Sequence, residues 1–258
     1  MTLFLVGAGA VLGLAVGSFL NVVIHRVPKH ESVVRPPSRC PSCGHDIRPR
    51  DNIPVLSWLL LRGRCRDCGT RIAGRYPAVE VATGVLFAAA AARFGADWAL
   101  PAFAVFFAVL LAVAVIDLDL FIIPNRIVYP ALLAAVPLLA IPAVIDGDLD
   151  RLARAAAGGL LAWIGLLVIH LISPRGMGFG DVRLAAVIGV YTGWISLMHV
   201  LLAIFLGFAS ASVVGIALLA TRRKGRKDPV PFGPFLALGA VAAVLFGGPI
   251  LDWWLGGG

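Results

Sequence analysis

The sequence predicts an all-α membrane protein that crosses the bilayer about eight times. Of its 258 residues, 60% are hydrophobic and only 14% are charged, against roughly 25% charged residues in ordinary soluble domains. This composition excludes a soluble globular enzyme, a disordered chain and a small disulfide-rich secreted domain. The net charge of +8 is therefore expected in cytosolic loops, and no basic patch with interleaved aromatic residues indicates binding to nucleic acid.

Eight apolar stretches account for these crossings, most of them close to the roughly 20 residues that a transmembrane helix needs. The first has no basic residue ahead of its apolar run, so it is interpreted as a retained helix rather than a cleaved signal peptide. The sixth is short, which predicts a tilted or partly interfacial helix. The stretches cover residues 3–24, 77–93, 98–118, 127–145, 155–172, 182–193, 195–220 and 232–254.

The distribution of Lys and Arg independently supports an even number of crossings, because successive loops alternate between the two sides of a membrane. Residues 25–76, 117–126, 173–183 and 221–231 together hold 19 of the 22 Lys and Arg residues. The opposite loops hold the other three and an acidic segment at residues 146–150. The positive-inside rule then places the long 25–76 loop in the cytosol and both termini outside it.

All four cysteines lie in this long loop. They form two Cys-Xaa-Xaa-Cys pairs separated by 21 residues: Cys40 with Cys43, and Cys65 with Cys68. Such spacing is typical of a zinc ribbon, and four thiolates leave no open coordination position, so the predicted zinc is structural. Two disulfides are the alternative, which a reducing compartment disfavours.

Two carboxylates are expected at the cytosolic ends of membrane helices. Asp117 closes the third apolar stretch and Asp181 opens the sixth, and by the assigned topology both ends face the cytosol. Ionisable groups at this depth are costly and usually functional. Two neighbouring carboxylates that titrate apart can share one proton, which is what aspartic-protease chemistry requires. Asp119 is the weaker candidate, because it points to a different face of the helix.

The residues around Asp181 leave two interpretations open. Gly176, Gly178 and Gly180 would let the backbone or a substrate approach the carboxylate closely. Alternatively, both aspartates are interfacial helix caps, with Asp181 paired to Arg183 or Arg175. A further carboxylate, Glu80, enters the second helix after Tyr76-Pro77, where an acidic first turn is ordinary helix-dipole chemistry.

Five ordered motifs make the sequence resemble the type IV prepilin peptidase (leader peptidase and N-methyltransferase) family of Gly-Xaa-Gly-Asp intramembrane aspartic peptidases. They are GSFLNVVIHRVP at residues 17–28, the segment 51–80 after CPSCGHDI, Asp117 followed by IPN at 123–125, the Gly178 to Asp181 element, and PFGPFLALG at 231–239. His25 and Arg183 depart slightly from the family pattern.

The resemblance implies cleavage of the leader peptide of type IV prepilins and type II secretion pseudopilins at the cytosolic face of the bacterial inner (plasma) membrane. S-adenosylmethionine-dependent methylation of the new N-terminus would follow. Asp117 and Asp181 are the implied catalytic residues. The residues implied to support them are Gly178, Gly180, Pro124 and Asn125.

The same resemblance divides the chain by function. Residues 1–93, with the first helix, the zinc loop and the second helix, form the expected methyltransferase region, and residues 94–258 form a six-helix peptidase region. The methyl-donor site is not assigned, and the segment from Gly74 to Glu80 is its candidate region. Expected partners are a prepilin or pseudopilin and the lipid bilayer, without nucleic acid.

Two alternative functions remain. One is a peptidase of the same type in which the zinc loop only positions the substrate and methylation is absent. The other is a transporter or membrane scaffold whose aspartates carry protons or cations. The sequence shows no internal repeat of the kind common in transporters, which disfavours this second alternative.

Overall fold

A computed structural model describes residues 1–174, 177–221 and 230–256. In these residues the secondary structure is almost entirely helical, with no β-sheet, which confirms the all-α prediction. The nine α-helices of this part of the chain are α1 (Thr2–Arg26), α2 (Leu56–Leu60), α3 (Arg75–Phe94), α4 (Leu100–Leu120), α5 (Asn125–Ile145), α6 (Asp150–Ile172), α7 (Phe179–Ile195), α8 (Leu197–Ala220) and α9 (Gly233–Leu255).

Seven of the described helices are long and apolar enough to cross a membrane. The sixth predicted crossing, at residues 182–193, corresponds to α7, which extends that stretch at both ends but still has only 17 residues. The five-residue α2 was not predicted, because a single apolar turn inside a polar loop gives no periodic signal.

The chain divides into two compact units, Met1–Ala96 and Asp97–Gly258. In the first unit α1 and α3 pack with almost no space between their backbones. A Cβ atom added to Gly13 would lie 2.6 Å from the carbonyl oxygen of Thr83, and one added to Gly17 would lie 2.7 Å from the Cα atom of Glu80. Small residues permit this approach, which is how helices gain contact area in lipid. Gly7, near the N-terminal end of α1, faces open space.

The second unit surrounds α7 with other helices. Eleven of the 17 residues of α7 are buried, which explains why this helix is apolar on all sides. Glycines again set the closest crossing: a Cβ atom on Gly189 of α7 would lie 2.2 Å from the carbonyl oxygen of Gly158 in α6. Phe106 of α4 stacks on Tyr191 of α7 with their ring centroids 4.3 Å apart. These contacts fix α7, and with it the position of Asp181.

The link between α4 and α5 is short and non-helical. Phe121 ends α4 in the left-handed region at φ 57°, and Pro124 caps α5 with an extended backbone. Because proline lacks an N–H and has a fixed φ, it starts a helix well. The chain therefore turns immediately after Asp117 and folds Ile123 back into the interior, where its side chain is only 9% exposed.

Candidate functional site: a buried aspartate pair, a four-cysteine cluster and a cavity

Asp117 lies in the last turn of α4 and is only 5% exposed. Its Oδ2 atom accepts a hydrogen bond from the backbone N–H of Gly233, at the first residue of α9, over 2.9 Å. A Cβ atom on Gly233 would lie 2.8 Å from the same oxygen. Only glycine therefore lets the backbone of α9 come this close to the carboxylate.

Asp181 lies in the first turn of α7 and is 7% exposed. Its Oδ2 atom accepts a hydrogen bond from the backbone N–H of Gly178, the residue that caps α7, over 3.0 Å. In the described part of the chain its Oδ1 atom is buried without a hydrogen-bond partner. Buried polar atoms are normally hydrogen-bonded. This unpaired oxygen can therefore accept a hydrogen bond from a water or a substrate group.

The two aspartates belong to one site. They are close enough for the charge of Asp117 to act on Asp181. Ile123 fills the space beside them: a Cβ atom on Gly180 would lie 2.9 Å from the Cβ atom of Ile123, and one on Gly233 would lie 3.3 Å from its Cδ1 atom. By contrast, Asp119 is exposed. Two like charges held together in a poorly solvated place favour a state that shares one proton.

Arg183 does not pair with Asp181. Its guanidinium donates hydrogen bonds to the side chain of Asn125 and to the carbonyl oxygen of Phe179, and it lies over the Phe179 ring. The Arg183–Asn125 contact ties the start of α5 to α7, close to Pro124. The other suggested partner, Arg175, and the neighbouring Gly176 lie outside the described residues.

Sequence reasoning missed two residues of this site, Gly233 and Ile123. Both lie inside quoted motifs, PFGPFLALG and the IPN segment. A glycine followed by proline at the start of an apolar stretch signals a helix start. That signal does not reveal the carboxylate 116 positions earlier in the chain, so only the folded structure could assign Gly233 to it.

The cysteines of the first unit form a compact cluster. Each Cys-Xaa-Xaa-Cys pair closes a similar turn: the N–H of Gly44 donates to the carbonyl oxygen of Cys40, and the N–H of Gly69 donates to that of Cys65, both over 2.9 Å. Both glycines have φ near 73°, a left-handed conformation that other residues rarely adopt. All four Sγ atoms lie within 4.8 Å of one another.

This cluster could bind zinc. Tetrahedral zinc with bonds of about 2.3 Å separates its sulfur ligands by about 3.8 Å, and the Sγ atoms of Cys40 and Cys68 lie 3.8 Å apart. The four thiols are free rather than joined as disulfides. Hydrogen bonding with the side chain and the backbone of Thr70 lowers the pKa of Cys68 to about 6, which favours the thiolate that binds metal.

The opposite effect operates at Cys43. A backbone hydrogen bond involving His45 favours its thiolate, but desolvation and the neighbouring cysteines outweigh this and raise the pKa of Cys43 to about 12. A divalent cation bound by the four sulfurs would favour their thiolate forms.

The first unit also has a partly open cavity of about 950 Å³ beside α1 and α3. Glu80 lines this cavity. It does not lie in an exposed first turn, because it is the sixth residue of α3 and is only 8% exposed. Its carboxylate accepts a hydrogen bond from the N–H of Val55 over 2.7 Å. Gly74, the other end of the candidate cofactor region, is exposed and does not line the cavity.

Comparison with known proteins identifies the two halves of the chain separately. Residues 11–94 match the bacterial peptidase A24 N-terminal domain, and residues 104–221 match the type IV leader peptidase family. No solved structure matches the chain.

Three similar proteins from different bacteria share the same name. A prepilin leader peptidase/N-methyltransferase of Bacillus subtilis is 37% identical over 95% of this chain and 96% of its own length, and one of Aeromonas hydrophila is 36% identical over 94% and 91%. A protein of the same name from Myxococcus xanthus is 47% identical over 83% of this chain, which spans only 64% of that longer relative. Matches over nearly the whole length, together with the buried aspartates and the cysteine cluster, show that the chain belongs to the type IV leader peptidase family.

Proposed function

We propose that this chain cleaves the leader peptide of type IV prepilins and type II secretion pseudopilins and then N-methylates the new N-terminal residue. The observation that carries the peptidase activity is the buried pair of Asp117 and Asp181, each held by a backbone N–H and close enough to interact. The names of its relatives and the family membership support both activities.

Cleavage follows from the two charge states of the aspartate pair. The ionised carboxylate removes a proton from a water molecule, whose oxygen attacks the scissile carbonyl carbon, while the protonated carboxyl donates its proton toward the carbonyl oxygen. The tetrahedral intermediate then collapses, the C–N bond breaks, and the leaving nitrogen takes up a proton. The products are a leader with a new carboxylate and a pilin with a new α-amine.

The fixed backbone donors orient the carboxylates for this reaction. The N–H groups of Gly233 and Gly178 each engage one oxygen of an aspartate, and among the described residues the second oxygen of Asp181 has no partner. Gly180, Pro124 and Asn125 support the pair indirectly, through Ile123 and Arg183. Preorganised groups of this kind reduce the reorganisation that the reaction requires.

Methylation belongs to the first unit in this proposal. S-adenosylmethionine supplies an electrophilic methyl group, which the new α-amine accepts with loss of a proton while the electrons of the broken S–C bond stay on sulfur. Residues of the first unit fit such a cofactor, because the cavity there is lined by both carboxylate and aromatic side chains. In the described residues the cavity also contains a buried amide oxygen without a partner, on Asn21.

Zinc has a structural role in the proposed enzyme. Bound by Cys40, Cys43, Cys65 and Cys68, it would join two turns that are 21 residues apart in the sequence. No coordination position would remain for a substrate. The zinc would thereby order a loop that is too polar to build a hydrophobic core of its own.

The chain is a multi-pass membrane protein, and we propose that its loops at 25–76 and 173–183 face the cytosol of a bacterial inner membrane. The bias of 19 to 3 in Lys and Arg supports this orientation. A prepilin enters the membrane with its basic leader in the cytosol, so the scissile bond would meet the Asp117 and Asp181 ends of α4 and α7. The bilayer is then a direct partner of this enzyme.

Mass spectrometry of a co-expressed prepilin tests the proposal, since the mass of its N-terminus reports cleavage and methylation together. We expect Asp117→Asn and Asp181→Asn each to abolish cleavage, because an amide can neither remove nor supply the shared proton. Asp119→Asn is the matched control: this residue is exposed, and its variant should retain most activity. Cleavage by a folded Asp117→Asn or Asp181→Asn protein would contradict the assignment.

A further inference from the structure

The cavity of the first unit has the size and lining of a small-molecule site. Its volume of about 950 Å³ lies within the roughly 300–1,000 Å³ of typical ligand pockets. Trp58 and Tyr76 contribute aromatic surface, and Asn21 and Glu80 contribute polar side chains, together with five arginines and four further acidic residues. Three of these arginines are paired with aspartates of the same lining. Asp117 and Asp181 belong to the other unit, so this cavity is a separate candidate site.

Glu80 gives this cavity a buried negative charge. The residue is 8% exposed, and its Oε2 atom accepts a hydrogen bond from the N–H of Val55 over 2.7 Å. Within the part of the chain that the structure describes, no lysine or arginine forms an ion pair with it. A buried carboxylate is costly without an opposite charge, so the cavity is suited to a ligand with a cationic centre.

Asn21 adds a hydrogen-bond acceptor on the same wall. It is 8% exposed, and its Nδ2 atom donates to the carbonyl oxygen of Tyr76 over 3.0 Å. Among the described residues, its Oδ1 atom is buried without a partner. An unpaired buried acceptor destabilises the site, and a donor group on a ligand removes this cost.

Val55, which has a strained backbone, donates the hydrogen bond that holds Glu80 in place. Val55 has φ 59° and ψ −49°, a conformation that is a genuine outlier for a β-branched residue. This conformation directs its N–H to the Glu80 carboxylate. Strained residues of this kind persist where the surrounding structure enforces them, and they cluster at functional sites.

We propose that this cavity is the S-adenosylmethionine site of the chain, with Glu80 providing the negative charge for the sulfonium centre. Asn21 provides an acceptor for an N–H or O–H group of the same ligand, and Trp58 and Tyr76 provide aromatic surface for its adenine. The inference rests on the proposed methyltransferase activity. It deepens that activity by naming the side chains that select a cationic methyl donor over its neutral product.

Isothermal titration of the detergent-purified, zinc-loaded protein with S-adenosylmethionine and, separately, with S-adenosylhomocysteine tests this proposal. The product lacks the positive charge on sulfur but keeps the rest of the ligand. We expect Glu80→Gln to raise the Kd of S-adenosylmethionine about tenfold and that of S-adenosylhomocysteine by less than about twofold. A purely structural role of Glu80 would weaken both ligands equally, and that result would overturn the assignment of Glu80.

Glu31→Gln is the matched control, because Glu31 also lines the cavity but is exposed. Its Kd values for S-adenosylmethionine and S-adenosylhomocysteine should stay within about twofold of the wild type. Wild-type protein that binds no S-adenosylmethionine would contradict the methyltransferase function itself. If the wild type binds S-adenosylmethionine and Glu80→Gln binds it equally well, only the assignment of this site is refuted.

A second measurement covers the case in which Glu80→Gln does not fold, as judged by its zinc content. Wild-type protein is cross-linked by ultraviolet light to S-adenosylmethionine that carries a labelled methyl group, with and without excess unlabelled ligand. Competable label on peptides that contain Trp58 or Tyr76 supports the site. Competable label confined to peptides outside the cavity overturns it.

Discussion

Gly233→Ala tests whether the backbone of α9 holds one of the two proposed catalytic carboxylates. The N–H of Gly233 donates to Oδ2 of Asp117 over 2.9 Å. An added Cβ atom would lie 2.8 Å from that oxygen and 3.3 Å from Cδ1 of Ile123. The first distance is shorter than real Cβ contacts allow, so the carboxylate or the start of α9 must move.

The size of the effect follows from the hydrogen bond that the movement breaks. A hydrogen bond to a charged group contributes about 1.5–3 kcal/mol. If this stabilisation is needed in the transition state, its loss lowers the cleavage rate about 10-fold to 100-fold. Displacement of a reacting group by about 1 Å has a comparable cost. Gly233→Ala should therefore be a slow enzyme that still contains both aspartates.

The assay is the initial rate of prepilin cleavage by protein reconstituted in liposomes. Gly248→Ala is the matched control, because Gly248 lies in the same helix and an added Cβ atom would meet no other atom within 4 Å. We expect this control to cleave within about twofold of the wild type, as surface substitutions away from such contacts usually have little effect. Wild-type rates for a folded Gly233→Ala protein would refute the role of the Gly233 N–H, and equal losses in both variants would indicate general damage to α9.

Three further predictions concern the metal, the packing and the separation of the two activities. Metal analysis should find about one zinc per wild-type chain and much less in Cys68→Ser, whereas a disulfide in the wild type would contradict the zinc assignment. Gly189→Ala should lower the free energy of unfolding in detergent by about 1–3 kcal/mol, because its Cβ atom overlaps the α6 backbone. Gly165→Ala is the control and should leave this free energy unchanged, because the added Cβ atom meets open space. Equal stabilities of the two variants would contradict the proposed α6–α7 packing. Asp181→Asn should still incorporate labelled methyl groups into a pre-cleaved pilin, and failure by folded protein would mean that the two sites are coupled.

The membrane helices were predictable because lipid permits few backbone structures other than a helix. A chain in hydrocarbon must satisfy its own backbone hydrogen bonds, so length and apolarity are sufficient to locate most helices. The short α7 shows the limit of this rule. Its 17 residues are enclosed by the other helices of the second unit, and composition alone does not reveal that environment. In the cysteine loop, α2 and the positive φ of Val55 depend on tertiary contacts that no local pattern encodes.

The functional residues divide in the same way. Helix periodicity favours Asp117 over Asp119, since residues two positions apart point to different faces, and the structure has the first buried and the second exposed. The cysteine spacing likewise predicts a cluster from local sequence. The partners of these residues were not predictable: Gly233 reaches Asp117 across 116 positions, and Val55 reaches Glu80 across 25. Such contacts are products of the fold, so sequence reasoning identifies the reactive groups better than the groups that orient them.

The chemistry of the two proposed activities fixes their order and explains why carboxylates are arranged differently in each unit. An amide nitrogen shares its lone pair with the carbonyl group, so it is a poor methyl acceptor, and a nucleophilic α-amine exists only after the leader is removed. Cleavage therefore comes first. In the proposed mechanism it uses two acidic groups that share a proton, the role proposed for Asp117 and Asp181. In the proposed methyl-donor site a single carboxylate is sufficient beside a cationic ligand, and among the described residues Glu80 accepts one backbone hydrogen bond, from Val55.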